Sequence, residues 1–427
     1  MKRWIQRSRS GGEALQTLVD GLAEELGRSV VLDDPLVRLI CTSRHFGDED
    51  RVRVRTLLQG IADDETIRYV LSQGVARWTR PGVLPGRDDL GMQPRYCAPV
   101  RERGHVLGIL MVVAAGAPLT EAERGAIDEV TRAVAVEMYA ERLASDDDEE
   151  HTRRLVSRLI GSDSAQRCAA HQRLVDDGLL PAGPHVVVTS VAVSGQPGPT
   201  GQTEVALRGA LEPFRQTRTA RGLSMVDQER AVLVQVFERE PAEEDLDLQG
   251  RGIVRSLTTF LGPGPVVSVG VGGRRTALAD AWISYDQARV AVRAARRLPR
   301  LEGIGDWERL GEYAVLLQLP ESALNDSLLP KPLRRLLATG GGNSRLEETL
   351  RCFLDNAGSV PRTAEVLELH RTSLYYRLRQ IQEITGLDLD VGAHRLELHL
   401  GLRLWDLLRA PAEPASPWTA SQQTAFP

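Results

Sequence analysis

The sequence predicts a multidomain α+β protein whose C-terminal segment is all-α. Its 427 residues exceed what one ordinary hydrophobic core accommodates, so two or three domains are expected. Strand-like and helix-like patterns alternate as far as about residue 322, and strand signals are lost after Ser344. Apolar residues make up 42% and charged residues 26% of the chain, which excludes wholesale disorder and a membrane class.

The first domain is expected at residues 13–143. Leucines at helical spacing predict an amphipathic helix from Glu13, and Gly27 is placed to end it. Short apolar runs bounded by turn residues predict two hairpins, the first around Asp33-Asp34-Pro35 and the second around Gly104. The predicted strands are Ser29 to Leu32, Leu36 to Thr42, Tyr96 to Arg101 and Val106 to Val113.

A long helix is predicted to leave this domain after Thr120. Thr120 and Glu123 have the spacing of a capping box, and an apolar stripe continues along the segment that follows. The five acids from Asp146 to Glu150 are expected to interrupt this helix. Residues 144–162 are therefore interpreted as a helical linker, either solvated or a short coiled coil.

A second α+β domain is expected at residues 163–322. The acid-rich stretch Glu238 to Leu248 and the Gly/Pro/Thr-rich stretch Ser194 to Gln202 are predicted to be loops. The predicted strands are His185 to Val193, Ala231 to Phe237 and Val266 to Val271, and a helix is predicted from Ala277 to Arg297.

Residues 323–410 predict a helix-turn-helix domain, followed by a disordered tail at 411–427. Asn356-Ala357-Gly358 ends the first helix, and Ser359 precedes a short second helix, Val360 to Leu367, with Ala364 facing inward. After the turn Glu368-Leu369-His370, a third helix runs to Thr385 and stops at Gly386. Leu374, Leu378 and Ile381 form its buried face, so the opposite face is predicted to enter a DNA major groove.

That outward face has the chemistry of a DNA-reading surface. From His370 to Gln382 the chain has three arginines and no carboxylate, so positive charge is local although the net charge is −5. Arg371 is expected to make a bidentate hydrogen bond to guanine, and the hydroxyls of Thr372 and Ser373 are expected to bond to bases or phosphate. The candidate DNA-binding residues are Arg362, Thr363, His370, Arg371, Thr372, Ser373, Tyr375, Tyr376, Arg377 and Arg379.

The remaining candidates have other expected roles. Tyr376 is expected on sugar or a thymine methyl, and Arg362, Arg377 and Arg379 on phosphate. His370 could equally cap the helix or pack, and Tyr375 could be half-buried core. A small helical bundle with a basic exposed face is the alternative to DNA binding.

The four cysteines are widely separated, with no CxxC pair and no histidine at zinc spacing, so neither a metal site nor a disulfide framework is expected. No cofactor is predicted. The longest apolar run, Val106 to Ala117, is too short to span a bilayer, and residues 1–12 lack the apolar segment of a signal peptide. We expect a cytoplasmic protein.

The stretch HRTSLYYRLRQIQEITGLDL, within residues 346–390, resembles the C-terminal helix-turn-helix of the PucR/CdaR family of bacterial regulators. Members of that family show a His-Arg-x-Thr-Leu-x-Tyr-Arg-Leu signature, in which Ser373 here replaces the threonine. The resemblance implies a sequence-specific transcriptional regulator that binds double-stranded DNA. The preference of such modules for paired half-sites and the long apolar-striped helix from Thr120 predict a homodimer.

Two weaker resemblances extend over the rest of the chain. VVSVGVGGRRTALADAWISYDQARVAVRAA is similar to the degenerate GGDEF-like domain of the same family. Its hairpin is expected at Met225-Val226-Asp227-Gln228-Glu229, where the glycine pair of a diguanylate cyclase is missing. The hairpin YCAPVRERGHVLGILMVV is similar in layout to a GAF sensor domain, which could bind a small-molecule effector or serve only for dimerisation.

Catalytic motifs are not recognised in the sequence. Walker, HExxH, GxSxG and strand-linked GxGxxG patterns are all missing, so a non-enzyme is expected. Two other classes stay open: a nucleotide-processing protein that retains the GGDEF-like fold, and a signalling scaffold whose terminal helices bind protein. GTP turnover would identify the first, and a sequence-independent, salt-insensitive interaction with DNA would favour the second.

Overall fold

The computed structural model describes residues 2–48, 50–59, 62–75, 78–103, 105–195, 202–262, 264–338 and 344–409. Side chains 2–11, 57–59, 64, 105, 143–148 and 344 are also outside the description. The chain divides into two compact units, one of residues 1–269 and 274–285 and the other of residues 270–273 and 286–427. The domain bounds at 143, 163 and 323 inferred from the sequence stay predictions.

The first unit begins with an antiparallel five-stranded sheet of order β2-β1-β5-β4-β3. In its central pair, β4 and β5, Cys97 lies opposite Met111 and Val100 opposite Gly108. Its elements are α1 (Lys2–Leu26), β1 (Val30–Asp33), β2 (Leu39–Thr42), α2 (Arg51–Gln59), α3 (Asp64–Ser72), β3 (Gly82–Leu84), β4 (Arg95–Glu102), β5 (His105–Val113) and α4 (Glu121–Leu159).

Both faces of this sheet are buried, because successive side chains along its strands pack against different helices. On β5, Leu110 and Val112 pack in the cluster that contains α1 and α4, whereas Ile109 and Met111 pack in the cluster that contains α2 and α3. Successive side chains of a strand point to opposite faces, so this nearly continuous apolar strand is buried on both sides. The predicted hairpins, the stop at Gly27 (φ 60°) and the capping box at Thr120 are present.

The acidic run Asp146 to Glu150 does not interrupt α4, contrary to the expectation. One helix of 39 residues continues through it. The helix is held at both ends, because Ile127 and Val134 pack under the first sheet and Leu155 and Leu159 pack under the second. Glu149 is also paired with Arg208, which offsets part of the local negative charge.

A second five-stranded sheet follows, with the order β10-β9-β6-β8-β7. Helices α4 and α5 pack on one of its faces, and α6 and α7 pack on the other. Its elements within the first unit are α5 (Ser164–Asp176), β6 (His185–Ser194), α6 (Gln202–Arg215), β7 (Ala220–Asp227), β8 (Arg230–Phe237) and α7 (Glu243–Leu261). The division between the units falls within β9 (Val266–Val271) and α8 (Ala281–Arg297).

The two sheets of the first unit share one hydrophobic cluster. It joins Val52 and Val70 of the α2/α3 side to Leu207 of α6 and Leu257 of α7. The packing leaves no room for a side chain at Gly209, where an added Cβ would lie 1.5 Å from Cδ1 of Leu36. The sequence did not predict this contact, because nothing local relates residue 36 to residue 209.

Several local expectations need correction. The strand predicted from Leu36 begins only at Leu39, because Asp34 accepts hydrogen bonds from the backbone of Leu36 and Arg38 and holds a turn there. Half of the loop predicted at Glu238 to Leu248 is the start of α7, whose first turn carries three acids that favour the helix N-terminus. Helices α2, α3, α5 and α6 and strand β3 were not predicted, and β7 was expected only as one arm of the hairpin at residues 225–229.

The second unit is mostly helical around its own hydrophobic cluster. Leu333, Leu350, Leu374, Leu398 and Leu402 meet there and are fully buried. The elements that follow α8 are β10 (Ile304–Asp306), α9 (Glu312–Leu316), α10 (Lys331–Ala338), α11 (Ser344–Asp355), α12 (Val360–Val366), α13 (Arg371–Thr385) and α14 (Gly392–Arg409). The predicted tail and the glycine run 340–342 lie outside the described residues.

Candidate nucleic-acid interface

The predicted turn between the first two helices is present. Gly358 adopts φ 77° and its amide donates to the carbonyl of Phe353 at 2.8 Å, which satisfies a carbonyl at the end of α11. An added Cβ at Gly358 would lie 2.5 Å from Nη1 of Arg395, so α14 closes over this turn. Ser359 occupies the N-cap position of α12, although its side chain makes no capping bond.

Helix α12 is short and lies close to α13. Ala364 is buried, and its carbonyl accepts from the amide of Leu369 at 2.9 Å, so the chain turns immediately after the helix. Glu368 adopts the left-handed conformation at φ 53°, which allows the sharp change of direction. The small side chain at residue 364 therefore acts as expected, permitting the next helix to approach.

His370 is the N-cap and Gly386 the C-cap of helix α13. Nδ1 of His370 accepts from the amide of Thr372 at 3.4 Å, a long capping bond, so this side chain serves the helix N-terminus. Leu374, Leu378 and Ile381 are buried as predicted, and Gly386 ends the helix at φ 74°.

The opposite face of α13 is open to solvent within the second unit. Tyr376 and Tyr375 are 71% and 59% exposed, so Tyr375 is not half-buried core. Arg371, Thr372, Ser373 and Arg379 are also exposed. Exposed aromatic side chains next to arginines and hydroxyls give a surface that can contact both base edges and the sugar-phosphate backbone.

Three of the predicted site residues, Thr363, Arg377 and Arg362, differ in how far they are exposed. Thr363 is fully buried, and its hydroxyl donates to the carbonyl of Ser359 at 2.8 Å, so its inclusion among DNA-contacting residues was wrong. Arg377 is half-buried, and its Nη1 donates to the hydroxyl of Thr349 on α11 at 3.2 Å. Arg362 is exposed on α12, as a phosphate contact requires.

The electrostatics of the surface include one ion pair. Nε of Arg379 lies 3.3 Å from a carboxylate oxygen of Glu383, one turn later on α13, and both side chains are largely exposed. Such a pair contributes little in water, so a phosphate can replace the carboxylate at small cost. Sequence reasoning missed the supporting residues Thr349 and Arg395, because their contacts are between helices distant in the chain.

The hairpin expected at residues 225–229 is present between β7 and β8. Asp227 lies opposite Arg230, and Gln228 adopts φ 49° at the turn. Met225 and Val226, which stand where a cyclase would have its glycines, are buried in the core. Met225 packs in the cluster with α4 and α5, and Val226 packs in the cluster with α6 and α7, on the opposite face of the sheet.

Metal ligands and membrane spans were sought only in the described part of the chain. No group of three or more His, Cys, Asp or Glu side chains there is arranged to hold a metal ion. None of the helices described is both long and apolar enough to cross a membrane.

Comparisons with known proteins agree with this geometry. Residues 346–404 match the PucR C-terminal helix-turn-helix domain, and residues 161–294 match the GGDEF-like domain. The Bacillus subtilis Proline-responsive transcriptional activator PutR is 22% identical over 399 residues, 91% of this chain and 95% of that protein.

Two further relatives match shorter stretches. The Transcriptional activator PmfR of Paenarthrobacter nicotinovorans is 29% identical over 31% of this chain and 28% of its own length. The Carbohydrate diacid regulator of Escherichia coli is 40% identical over 76 residues, 18% of this chain and 20% of that protein. The chain therefore has a PucR-type helix-turn-helix domain and a GGDEF-like domain, and with its similarity to these transcriptional activators it is a DNA-binding transcriptional regulator.

Proposed function

We propose that this DNA-binding transcriptional regulator reads its operator with the exposed face of α13. The observation that carries the proposal is the first two turns of that helix, which expose Arg371, Thr372, Ser373 and Tyr376 and contain no carboxylate. A major groove admits one helix, and the N-terminal residues of that helix reach the base edges. His370 and the buried leucines of α13 orient this face and are not assigned to DNA.

Arg371 is assigned to a base and Arg379 to phosphate. A guanidinium at the first position of the helix can make a bidentate bond to guanine, whereas Arg379 lies two turns later and can exchange Glu383 for a phosphate oxygen. Arg362 is a further phosphate contact from α12. Arg377 is placed at the edge of the surface, because Thr349 already accepts one of its hydrogen bonds.

Fluorescence anisotropy with the promoter fragment upstream of the protein's own gene tests these assignments. Arg371→Ala should weaken binding to the operator by about 1 to 3 kcal/mol and should remove the preference for one base at one position of the site. Arg379→Ala should weaken binding to all DNA sequences by a similar factor. It should also lower the number of counterions released on binding, measured from the salt dependence, by about one.

Arg309→Ala is the matched control. This exposed arginine lies in the second unit but outside the helix-turn-helix, so operator affinity should be unchanged. If both α13 variants keep full operator affinity and specificity while folded, this face does not read DNA. Equal weakening by Arg309→Ala would show that only bulk charge matters.

We infer further that the regulator acts in the cytoplasm as a homodimer and responds to a small molecule through its GAF-like first domain. The long helix α4 and the paired half-sites of helix-turn-helix operators support dimerisation. Sedimentation that finds only monomer, with and without operator DNA, would contradict it. The effector inference is supported by a pocket in the first sheet domain.

We also propose that the GGDEF-like domain has no cyclase activity. The support is the hairpin at residues 225–229, in which buried Met225 and Val226 replace the glycine pair. Incubation with GTP and magnesium, analysed for cyclic dinucleotide, tests this proposal. Product formation above that of a heat-denatured sample would contradict it.

A further inference from the structure

Helix α10 lies just before the helix-turn-helix and is strongly amphipathic. Leu333 and Leu336 are buried, and they pack in the same cluster as the buried leucines of α13. Gly401 of α14 lies so close that an added Cβ there would be 2.8 Å from Cδ2 of Leu333. One side of α10 is therefore fixed against α13 and α14.

The opposite side of α10 consists of three cations and one alanine. At about 100° per residue, Lys331, Arg334, Arg335 and Ala338 fall within about 100° of arc and face away from Leu333. All four side chains are exposed, and α10 contains no Asp or Glu. Together Lys331, Arg334 and Arg335 form a compact basic surface, called here the α10 surface.

The three cations of the α10 surface have no ion-pair partner among the described residues. Acidic side chains are not scarce, because the chain has a net charge of −5, and Arg351 of the same unit is paired with Asp406. Lys331 stands three residues before Arg334 and four before Arg335, spacings at which like charges lie side by side and destabilise a helix. A polyanionic partner would neutralise this unbalanced charge.

The place of the α10 surface next to the reading helix favours DNA as that partner. Packed helices have axes about 8 to 10 Å apart, and a major groove is about 12 Å wide. When α13 occupies the groove, the phosphates along its walls therefore lie at about the distance of a neighbouring helix. Arg362 and Arg371, assigned above to DNA, are likewise exposed and without an ion pair in the described part of the chain.

We propose that α10 is a second DNA-contacting element, in which Lys331, Arg334 and Arg335 bind phosphates beside the groove that α13 occupies. Contacts to phosphate oxygens add affinity without reading sequence. This inference rests on the proposed function and extends it to a helix outside the matched helix-turn-helix domain, which begins at residue 346. An acidic protein surface could meet the same charges, and DNA binding would then be independent of them.

The Arg334→Gln/Arg335→Gln double variant of the full-length chain tests the α10 surface. Fluorescence anisotropy measures its affinity for the promoter fragment and for a scrambled duplex of the same length over a range of salt concentrations. At about 0.15 M salt each lost phosphate contact should weaken binding about 5-fold, so both duplexes should bind roughly 10- to 30-fold more weakly. The number of counterions released on binding should fall by about two, and the affinity ratio between the duplexes should not change.

Two control variants isolate the effect. Arg255→Gln/Arg309→Gln removes the same charge from exposed positions on α7 and just before α9, and its affinity for both duplexes should stay within about two-fold of the native value. Arg334→Lys/Arg335→Lys keeps the charge of the α10 surface and should stay within about three-fold. Equal weakening by the first control, or native affinity and salt dependence in Arg334→Gln/Arg335→Gln, would overturn the proposal.

Uncharged methylphosphonate linkages locate the contact on the DNA. Promoter duplexes that each carry one replaced phosphate are titrated against the native chain and the Arg334→Gln/Arg335→Gln variant. One or two replacements should weaken binding of the native chain about 5-fold and leave binding of the variant unchanged. If every replacement affects both proteins equally, α10 does not touch the DNA.

The two DNA proposals fail separately. Arg371→Ala should change the preference at one base position, whereas the α10 variant should change only affinity and salt dependence. A native salt dependence in the α10 variant, together with lost base preference in Arg371→Ala, would remove α10 and keep α13 as the reading helix. The reverse result would keep α10 as a phosphate contact and remove the assignment of α13.

Discussion

Replacing Asp33 by asparagine should remove a pH-dependent loss of stability from the first sheet domain. Burial raises the pKa of this carboxyl from 3.8 to about 7, the neighbouring Asp34 adds to the rise, and Arg95 opposes it. The folded domain therefore holds the proton more tightly than the unfolded chain. The stabilisation that comes from this tightly held proton is present in full below about pH 4 and is lost as the pH rises through 7.

The magnitude follows from the two pKa values. A difference of about three pH units at 1.36 kcal/mol each gives a loss of ~4 kcal/mol at pH 8, and of less than about 1 kcal/mol at pH 4. Asparagine stays neutral at both pH values. The stability of the Asp33→Asn variant relative to the native chain should therefore rise by roughly 3 kcal/mol between pH 4 and pH 8.

Urea titration with pulsed hydrogen exchange and peptide mass spectrometry measures this difference on the full-length chain. Peptides that cover β1 and β5 report the unfolding of this domain separately from the second unit. Asp88→Asn is the control, because Asp88 is an exposed acid of the same domain and its replacement should have little effect at either pH. A stability difference for Asp33→Asn that is the same at pH 4 and pH 8 would refute the reasoning.

Further substitutions test the packing and the revised interface. Gly209→Ala should destabilise the first unit by about 1 to 3 kcal/mol, because its Cβ would meet Leu36, and Leu36→Ala should restore part of that loss in the double variant. Gly270→Ala should destabilise the protein more, since its Cβ would lie 2.1 Å from a backbone oxygen of α8. Gly125 lies in open space on α4, so Gly125→Ala should instead stabilise the protein by about 0.5 to 1 kcal/mol. Thermal denaturation measures all of these changes. Thr363→Val should lower stability by about 1 kcal/mol and leave operator affinity within about two-fold, whereas a tenfold loss of affinity in a folded protein would return this residue to the DNA surface.

The sequence determined the local features of this protein, because each depends on residues close together in the chain. The spacing of Leu374, Leu378 and Ile381 defined the buried face of α13, Gly358 and Gly386 marked helix ends, and Thr120 with Glu123 marked the start of α4. These signals arise from helical periodicity and backbone conformation, which need no tertiary partner. The recognition of the family rested on the same segment.

Only the tertiary structure decided what depends on packing between distant segments. The acidic run in α4 stays helical because apolar residues on both sides are anchored under two sheets, and Thr363 is buried because α12 is covered by its neighbours. The pocket that joins Asp33, Thr66 and Arg95 is assembled from a strand, a helix and a second strand. A single sequence contains no local trace of such contacts, since the burial that creates them is a property of the folded chain.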